Sequence, residues 1–147
     1  MQPKRILCPI DFSEGSRAAM RDAVELARPR SAAITLLYVF RPPVTAVNAT
    51  SDMLIGEAVG PAEGEARREL DTWREDALAL GATQVETALA PGIPWDQIVR
   101  QAEKEHVQLI VMGTHGRTGL HRALVGSVAE KVVRHATCSV LVVREPR

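Results

Sequence analysis

The regular alternation of short apolar runs with amphipathic segments is the feature that most constrains the fold of this chain. Five apolar runs predict β-strands, at residues 5–10, 33–40, 85–89, 107–112 and 139–143. Most of them carry few polar residues, and strands of that kind belong to sheets that are covered on both faces. The third run is weaker, with Val85, Thr87 and Leu89 on one side. The pattern therefore predicts one buried sheet.

Segments with apolar residues at helical spacing separate these strands. They predict helices at 14–29 and 63–80, a third that begins at Pro94, and a fourth whose apolar face is Val125, Val128, Ala129, Val132 and Val133. Ser13 is a suitable N-cap for the first helix, and the second has Leu70, Trp73, Ala77 and Leu80 on one face. Residues 44–62 have no clear period, and so long a stretch is expected to be a lid or partly helical.

Strands and helices in alternation predict an α/β fold, with a parallel sheet and helices on both faces. Because crossover connections are right-handed, the simplest topology is a single doubly wound sheet of five strands. In such sheets ligands bind beyond the carboxyl ends of the strands, where the winding reverses. The length of 147 residues fits one domain over 1–147, without an internal repeat or a linker.

Composition argues against several classes of protein. Apolar residues make up 46% and charged residues 24%, as in ordinary globular proteins, and no apolar run is long enough to span a membrane. The net charge is zero and only 3% of the residues are aromatic, which argues against nucleic acid as a partner. The N-terminus lacks the pattern of a signal peptide, so we expect a cytoplasmic protein in which Cys8 and Cys138 are buried, reduced thiols.

The loop after the fourth strand carries the strongest chemical signal. It runs from Met112 to Ser127, with Gly113 at the end of a strand and Gly126 at the start of a helix. Amides at a helix start carry partial positive charge and bind anions, and the serine hydroxyl adds a donor. Residues 114–129 contain two arginines and two histidines but no acidic residue. The pattern predicts an anion site, although the glycines would equally suit a tight loop whose basic side chains face water.

A second group of candidate residues follows the first and second strands. Asp11 lies just beyond Pro9, and it shares a crevice with Gly113 if strands one and four are neighbours. Its carboxylate would accept hydrogen bonds from nucleotide hydroxyls or amines, or hold a divalent cation beside phosphates. A local turn or helix cap is the alternative for Asp11. Val39 would line an apolar slot for a base, or belong to the ordinary core.

Two familiar nucleotide motifs are absent, namely the P-loop pattern G-x-x-x-x-G-K-[ST] and G-x-G-x-x-G after the first strand. Instead, Gly113-x2-Gly116-x9-Gly126-Ser127 resembles the G-x2-G-x9-G-[S/T] pattern of the universal stress protein family. The resemblance covers nearly the whole chain and includes residues 6–13, 37–39, 92–94, 110–113 and 140–143. One departure is at the start of the last strand, where the family commonly has proline before the valine and this chain has Ser139.

The resemblance implies a Rossmann-like sheet ordered 3-2-1-4-5, similar to that of the adenine nucleotide alpha hydrolases, and a site for ATP with or without Mg²⁺. The implied site residues are Pro9, Asp11, Val39, Met112, Gly113, Gly116, Arg117, Gly126, Ser127 and Val128. Asp11 and Val39 would contact the ribose or the adenine, and the first two glycines of the pattern would lie beneath the ribose and phosphates. Gly126, Ser127 and the Val128 amide would hold the phosphates, while Arg117 stands where the family often has a basic residue.

The resemblance also implies a homodimer formed through the last strand. Val140–Val143 would be an exposed apolar edge that invites pairing with a second copy, unless Arg144 and Pro146 protect it. The expected function is that of an ATP-binding stress protein that acts as a sensor or regulator. A slow ATPase or phosphotransferase, and a nucleotide-free dimeric interaction module, are the alternatives. Rapid phosphoryl transfer needs a metal clamp, a positioned nucleophile and charge neutralisation. The sequence offers one carboxylate, Asp11, two candidate bases, His115 and His121, and no Walker lysine, so binding is favoured over turnover and no catalytic residue is assigned.

Overall fold

The computed structural model describes residues 2–42, 52–114 and 125–145. Its strands and helices follow one another in the order β1 Arg5–Pro9, α1 Glu14–Ala27, β2 Ala33–Phe40, α2 Asp52–Ala79, β3 Gln84–Pro91, α3 Pro94–Lys104, β4 Leu109–Gly113, α4 Ser127–His135 and β5 Ser139–Val143. A short 3-10 helix, Arg28–Arg30, follows α1. Within the described residues, no helix is both long enough and apolar enough to cross a bilayer.

The five strands form one parallel sheet with the order β3-β2-β1-β4-β5. The predicted α/β fold and its strand order 3-2-1-4-5 are therefore confirmed. β1 pairs with β2 on one side and with β4 on the other, so the winding reverses between β1 and β4. The carboxyl ends of these two strands consequently border the crevice in which doubly wound sheets hold ligands.

Each face of the sheet has its own apolar core. Ile6 and Cys8 of β1 belong to the core that includes α1 and α2, whereas Leu7 between them belongs to the core that includes α3 and α4. All three side chains are at most 1% exposed, as expected for a strand that is covered on both faces. Cys8 is thus buried as predicted, while Cys138 at the edge of the sheet is only half-buried.

The largest difference from the sequence-based expectation concerns α2. This helix begins at Asp52 rather than at Glu63, so the stretch 44–62 is partly helical, and residues 43–51 lie outside the described part of the chain. Two glycines and a proline hid the first part of the helix, because these residues weaken a helix and interrupt its periodic pattern. β3 is also longer than expected, since its main chain pairs with β2 from Gln84 to Pro91.

Three residues that the sequence assigned to the apolar faces of helices are exposed in the structure. Leu80 lies past the end of α2 and Val125 lies before the start of α4, and each is 43% exposed. Val133 lies within α4 but is 53% exposed, whereas Ala129 and Val132 of that helix are buried. Because α4 packs against α3 and the edge strand β5, its apolar stripe is wider than the face that the described residues cover.

Candidate functional site

A cavity of about 460 Å³ lies at the carboxyl edge of the sheet, where β1 and β4 end side by side. Its walls come from the ends of β1, β2 and β4 and from the first turns of α3 and α4. The candidate residues that line it are Pro9, Asp11, Val39, Met112, Gly113, Gly126, Ser127 and Val128. The other two, Gly116 and Arg117, lie outside the described residues. The structure thus brings four separate segments together around one cavity, while their roles in binding stay predictions.

Asp11 is held in place by the turn between β1 and α1. Its Oδ1 accepts hydrogen bonds from the Ser13 N–H at 3.1 Å and from the Ser16 hydroxyl at 2.7 Å. The Asp11 N–H in turn donates to Ser16 Oγ at 2.9 Å. The local turn foreseen as an alternative role for Asp11 is therefore present, and the same residue also lines the cavity. The turn fixes the position of the carboxylate before any ligand arrives.

Phe12 adopts a left-handed backbone conformation, with a φ of 65°. This conformation costs a residue with a side chain about 1–2 kcal/mol, and the packing of the ring offsets that cost. The ring centroid lies 4.8 Å from that of Tyr38 and 5.6 Å from that of Trp73, against the core of α1 and α2. Because of this backbone conformation, two consecutive side chains lie in different places: Phe12 packs against this core and Asp11 lines the cavity.

Gly113 has a packing reason to be glycine that the sequence did not reveal. A Cβ at this position would lie 3.0 Å from the carbonyl carbon and oxygen of Gly15 in the first turn of α1. The close approach of α1 to β4 therefore disfavours any side chain at 113, whatever binds in the cavity. The glycine pattern of the loop predicted a role for Gly113 in ligand binding. The close approach to Gly15 is a second, independent reason for glycine at this position.

The two ends of the long loop after β4 are fixed by hydrogen bonds. The Thr114 N–H donates to the Val143 carbonyl at 3.1 Å, and the Gly126 N–H donates to the Thr114 carbonyl at 2.6 Å. These bonds place the start of α4 directly beside the end of β4. Gly126 itself has a φ of −61° and a ψ of 158°, an extended conformation that any residue can adopt.

The N-terminus of α4 differs from that of α1 in how its amides are satisfied. Ser13 caps α1, because its Oγ accepts from the Ser16 N–H at 3.2 Å. α4 has no side-chain cap, and its first hydrogen bond runs from the Glu130 N–H to the Gly126 carbonyl at 3.0 Å. The N–H groups that precede Glu130 have no partner within the helix. Gly126 to Ala129 line the cavity, so these amides and the positive end of the helix dipole form a suitable anion site.

The opposite end of the cavity is mostly aliphatic. The second strand and the residue after it contribute Leu37, Tyr38, Val39 and Arg41, and the first turns of α3 contribute Pro94 and Ile98. Val39 was foreseen as a wall of this slot, but the residues from α3 and Arg41 were missed. Pro94 and Ile98 lie four residues apart on one helix face, and Arg41 follows Val39 at strand spacing. Those spacings were visible in the sequence, but nothing local indicated that α3 would pack beside the end of β2.

The described residues offer little for metal or thiol chemistry. Among them, no group of three or more His, Cys, Asp or Glu side chains is arranged to hold a metal ion. Asp11 is the one carboxylate among the described lining residues, so protein groups in the described range supply few of the oxygen ligands that Mg²⁺ takes. Burial raises the pKa of Cys8 to about 12, so this thiol stays protonated at neutral pH.

Fold and site together define an α/β protein with a ligand cavity at the switch point of a doubly wound parallel sheet. The model of the Universal stress protein family matches residues 3–144. The chain therefore belongs to the universal stress protein family, as its glycine pattern predicted.

Relatives and solved structures agree with this membership. The chain is 37% identical over 146 residues to the universal stress protein MJ0531 from Methanocaldococcus jannaschii. The alignment covers 98% of this chain and 84% of that protein. The structure of MJ0577, from the same organism, has a TM-score of 0.88 and 29% identity, and covers 100% of this chain and 99% of that one. The structure of the universal stress protein from Archaeoglobus fulgidus in complex with dAMP has a TM-score of 0.69 and 26% identity, and the match covers 97% of this chain and 98% of that one.

Proposed function

We propose that this chain binds an adenine nucleotide, ATP above all, in the cavity and acts as a nucleotide-dependent sensor or regulator in the stress response. The observation that carries the proposal is the start of α4, which has no side-chain cap and lines the same cavity as Asp11 and Val39. The dAMP complex of the related protein supports an adenine nucleotide as the ligand class. A pocket of this size, mostly apolar with a few convergent polar groups, is typical of small-molecule sites.

The three parts of a nucleotide would meet three different walls of the cavity. The phosphates would accept hydrogen bonds from the amides at the start of α4 and from the Ser127 hydroxyl. The ribose hydroxyls would donate to the Asp11 carboxylate, which the turn before α1 already holds at the cavity. The base would lie between Val39 and the side chains of Pro94 and Ile98, where apolar surface is removed from water.

Gly126→Leu tests the placement of the phosphates. The backbone at 126 suits any residue, so the substitution changes the space in the cavity without requiring a strained conformation. We expect isothermal titration calorimetry to detect no ATP binding, while circular dichroism shows wild-type helix content. Ser127→Ala removes one donor to a charged group and should weaken ATP binding by about tenfold. Gly64→Ala, a substitution within α2, is the control that should bind ATP normally. Wild-type affinity in the Gly126→Leu variant would show that the phosphates lie elsewhere.

The identity of the ligand can be read from the purified protein. Denaturation followed by chromatography should release an adenine nucleotide at close to one molecule per chain. If nothing is released and a subsequent ATP titration shows no binding, the proposal is wrong. Phosphate release after addition of ATP, compared between the wild type and Gly126→Leu, separates a nucleotide sensor from a slow ATPase.

We further propose that two copies pair through β5. This edge strand has Leu141 39% exposed and Val140 and Val142 half-buried, and an apolar strand edge is stabilised by pairing with a second chain. Light scattering at micromolar concentration should give the mass of a dimer. Leu141→Lys should shift it to a monomer. Leu80→Lys should remain dimeric, because Leu80 has similar exposure but lies between α2 and β3, the strand at the opposite edge of the sheet from β5. A monomeric wild type would contradict this interface.

A further inference from the structure

Arg41 lines the cavity from the end of β2, but it takes no part in the phosphate, ribose and base contacts proposed above. Side chains alternate between the two faces of a strand, so Leu37, Val39 and Arg41 emerge on the same side of the sheet. Leu37 and Val39 belong to the core of α3 and α4, which confirms the side on which this row lies. The Gly92 N–H donates to the Phe40 carbonyl at 2.9 Å, so the main chain stays paired up to the residue before Arg41.

The position of Arg41 along this row puts it at the mouth of the aliphatic slot. Two residues of extended chain advance by about 6.6 Å, so Arg41 begins one step outward from Val39. Pro94 and Ile98 of α3 form the facing wall. A ligand group that enters the slot between Val39 and Ile98 would therefore pass close to Arg41.

The strand order separates the main chain at Arg41 from the anion site. Among the described lining residues, Asp11 and Arg41 are the two with ionised side chains. The start of α4 follows β4, whereas Arg41 follows β2, and β1 lies between these strands. Two strand spacings amount to about 9.5 Å across the sheet, so Arg41 stands at the base end of the cavity and the amides of α4 stand at the phosphate end.

We propose that Arg41 is a ligand-binding residue whose guanidinium stacks on the face of the nucleotide base held by Val39 and Ile98. This inference rests on the proposed function, in which an adenine nucleotide occupies the cavity. The guanidinium group is planar and weakly hydrated, and it stacks on flat aromatic systems, whereas the lysine ammonium group is compact and strongly hydrated. Tyr38 also lines the cavity, but its ring packs with Phe12 against the core of α1 and α2. The other walls of the slot are aliphatic, so Arg41 supplies the one flat cationic surface among the described lining residues.

The test compares AMP, ADP and ATP by isothermal titration calorimetry in the full-length protein. Stacking acts on the base, so Arg41→Ala should weaken all three nucleotides by one common factor, about three- to tenfold. Arg41→Lys keeps the charge but loses the plane, and it should not restore wild-type affinity. Arg30→Ala removes one positive charge from an exposed position in the 3-10 helix after α1, and this control should leave binding unchanged.

Two results would overturn the inference while leaving the proposed function intact. The first is a loss in Arg41→Ala that grows from AMP to ATP and is restored by lysine, because that pattern belongs to a phosphate contact. The second is wild-type affinity of Arg41→Ala for every nucleotide. If the proposed function is wrong, the wild-type protein itself will bind none of the three nucleotides. That result differs from the two above, and it would refute the role of Arg41 as well.

Discussion

Gly113→Ala offers a direct test of the packing between α1 and β4. The new methyl carbon would lie 3.0 Å from the carbonyl carbon and oxygen of Gly15. Both are main-chain atoms in the first turn of a helix that Ser13 caps, so they cannot move aside as the end of a flexible side chain would. We therefore expect the substitution to destabilise the protein in the absence of any nucleotide.

The expected magnitude follows from the geometry. The contact would be about 0.4 Å shorter than the 3.4 Å at which ordinary van der Waals contact begins. Relief requires α1 to shift relative to β4, and buried side chains of α1 such as Ala19 and Met20 pack in the same core as Val111 of that strand. Overpacking in a well-packed interior costs about 1–3 kcal/mol, so we expect the free energy of unfolding to fall by about 2 kcal/mol.

Urea unfolding followed by circular dichroism measures this effect, and Gly64→Ala provides a matched control. A Cβ at 64 would lie 3.6 Å from Arg68 Nη1, an ordinary contact on α2. In a helix interior, alanine stabilises relative to glycine by about 0.5–1 kcal/mol. The two variants should therefore move the urea midpoint in opposite directions. A Gly113→Ala midpoint equal to that of the wild type would refute the packing explanation for this glycine.

Three further substitutions test the interior. Burial raises the pKa of Cys8 from 9.0 to about 12; both states hold the proton below pH 9.0, and above it only the unfolded state releases it. The free energy of unfolding of the wild type should then fall by about 1.4 kcal/mol per pH unit up to the folded-state pKa. Cys8→Ala should lack this fall, and a urea midpoint of Cys8→Ala that declines just as steeply with pH would contradict the prediction. Leu36→Ala removes a fully buried side chain and should cost about 2–5 kcal/mol in urea unfolding; a loss below about 1 kcal/mol would mean that the site collapses. The Arg17 Cζ lies 3.9 Å from the centroid of the Trp73 ring, and its Nη1 lies 2.7 Å from Asp76 Oδ2 in a partly exposed ion pair. Arg17→Met should therefore lower the melting temperature by about 2–4 °C. An unchanged melting temperature would exclude a net contribution of these two contacts to stability.

The sheet was predictable because its signal is local. Strands that are buried on both faces must be apolar at consecutive positions, as in β1 and β2, and helices that cover them must be apolar at helical spacing. Ser13 was predictable as a cap for the same reason, since it acts on an amide three residues away. The start of α2 at Asp52 was not predictable, because its glycines and proline mask the periodic signal on which the prediction depends.

The candidate site was predictable only in part. The glycine pattern identified the end of β4 and the start of α4, and the switch-point rule placed Asp11 in the same crevice. Arg41 and Ile98 were missed, because each becomes a wall residue only when α3 packs against β2. The second constraint on Gly113 was missed as well, because its neighbour Gly15 lies on an element distant in sequence.

The sequence by itself determined the succession of strands and helices, the burial of the sheet on both faces and the family to which the chain belongs. These properties depend on residues that are close together along the chain, where periodicity and spacing can be counted. Only the tertiary structure decided that an uncapped helix start, a fixed carboxylate and an aliphatic slot border one cavity. That arrangement depends on distances between separate segments, which are set by how the helices pack on the sheet.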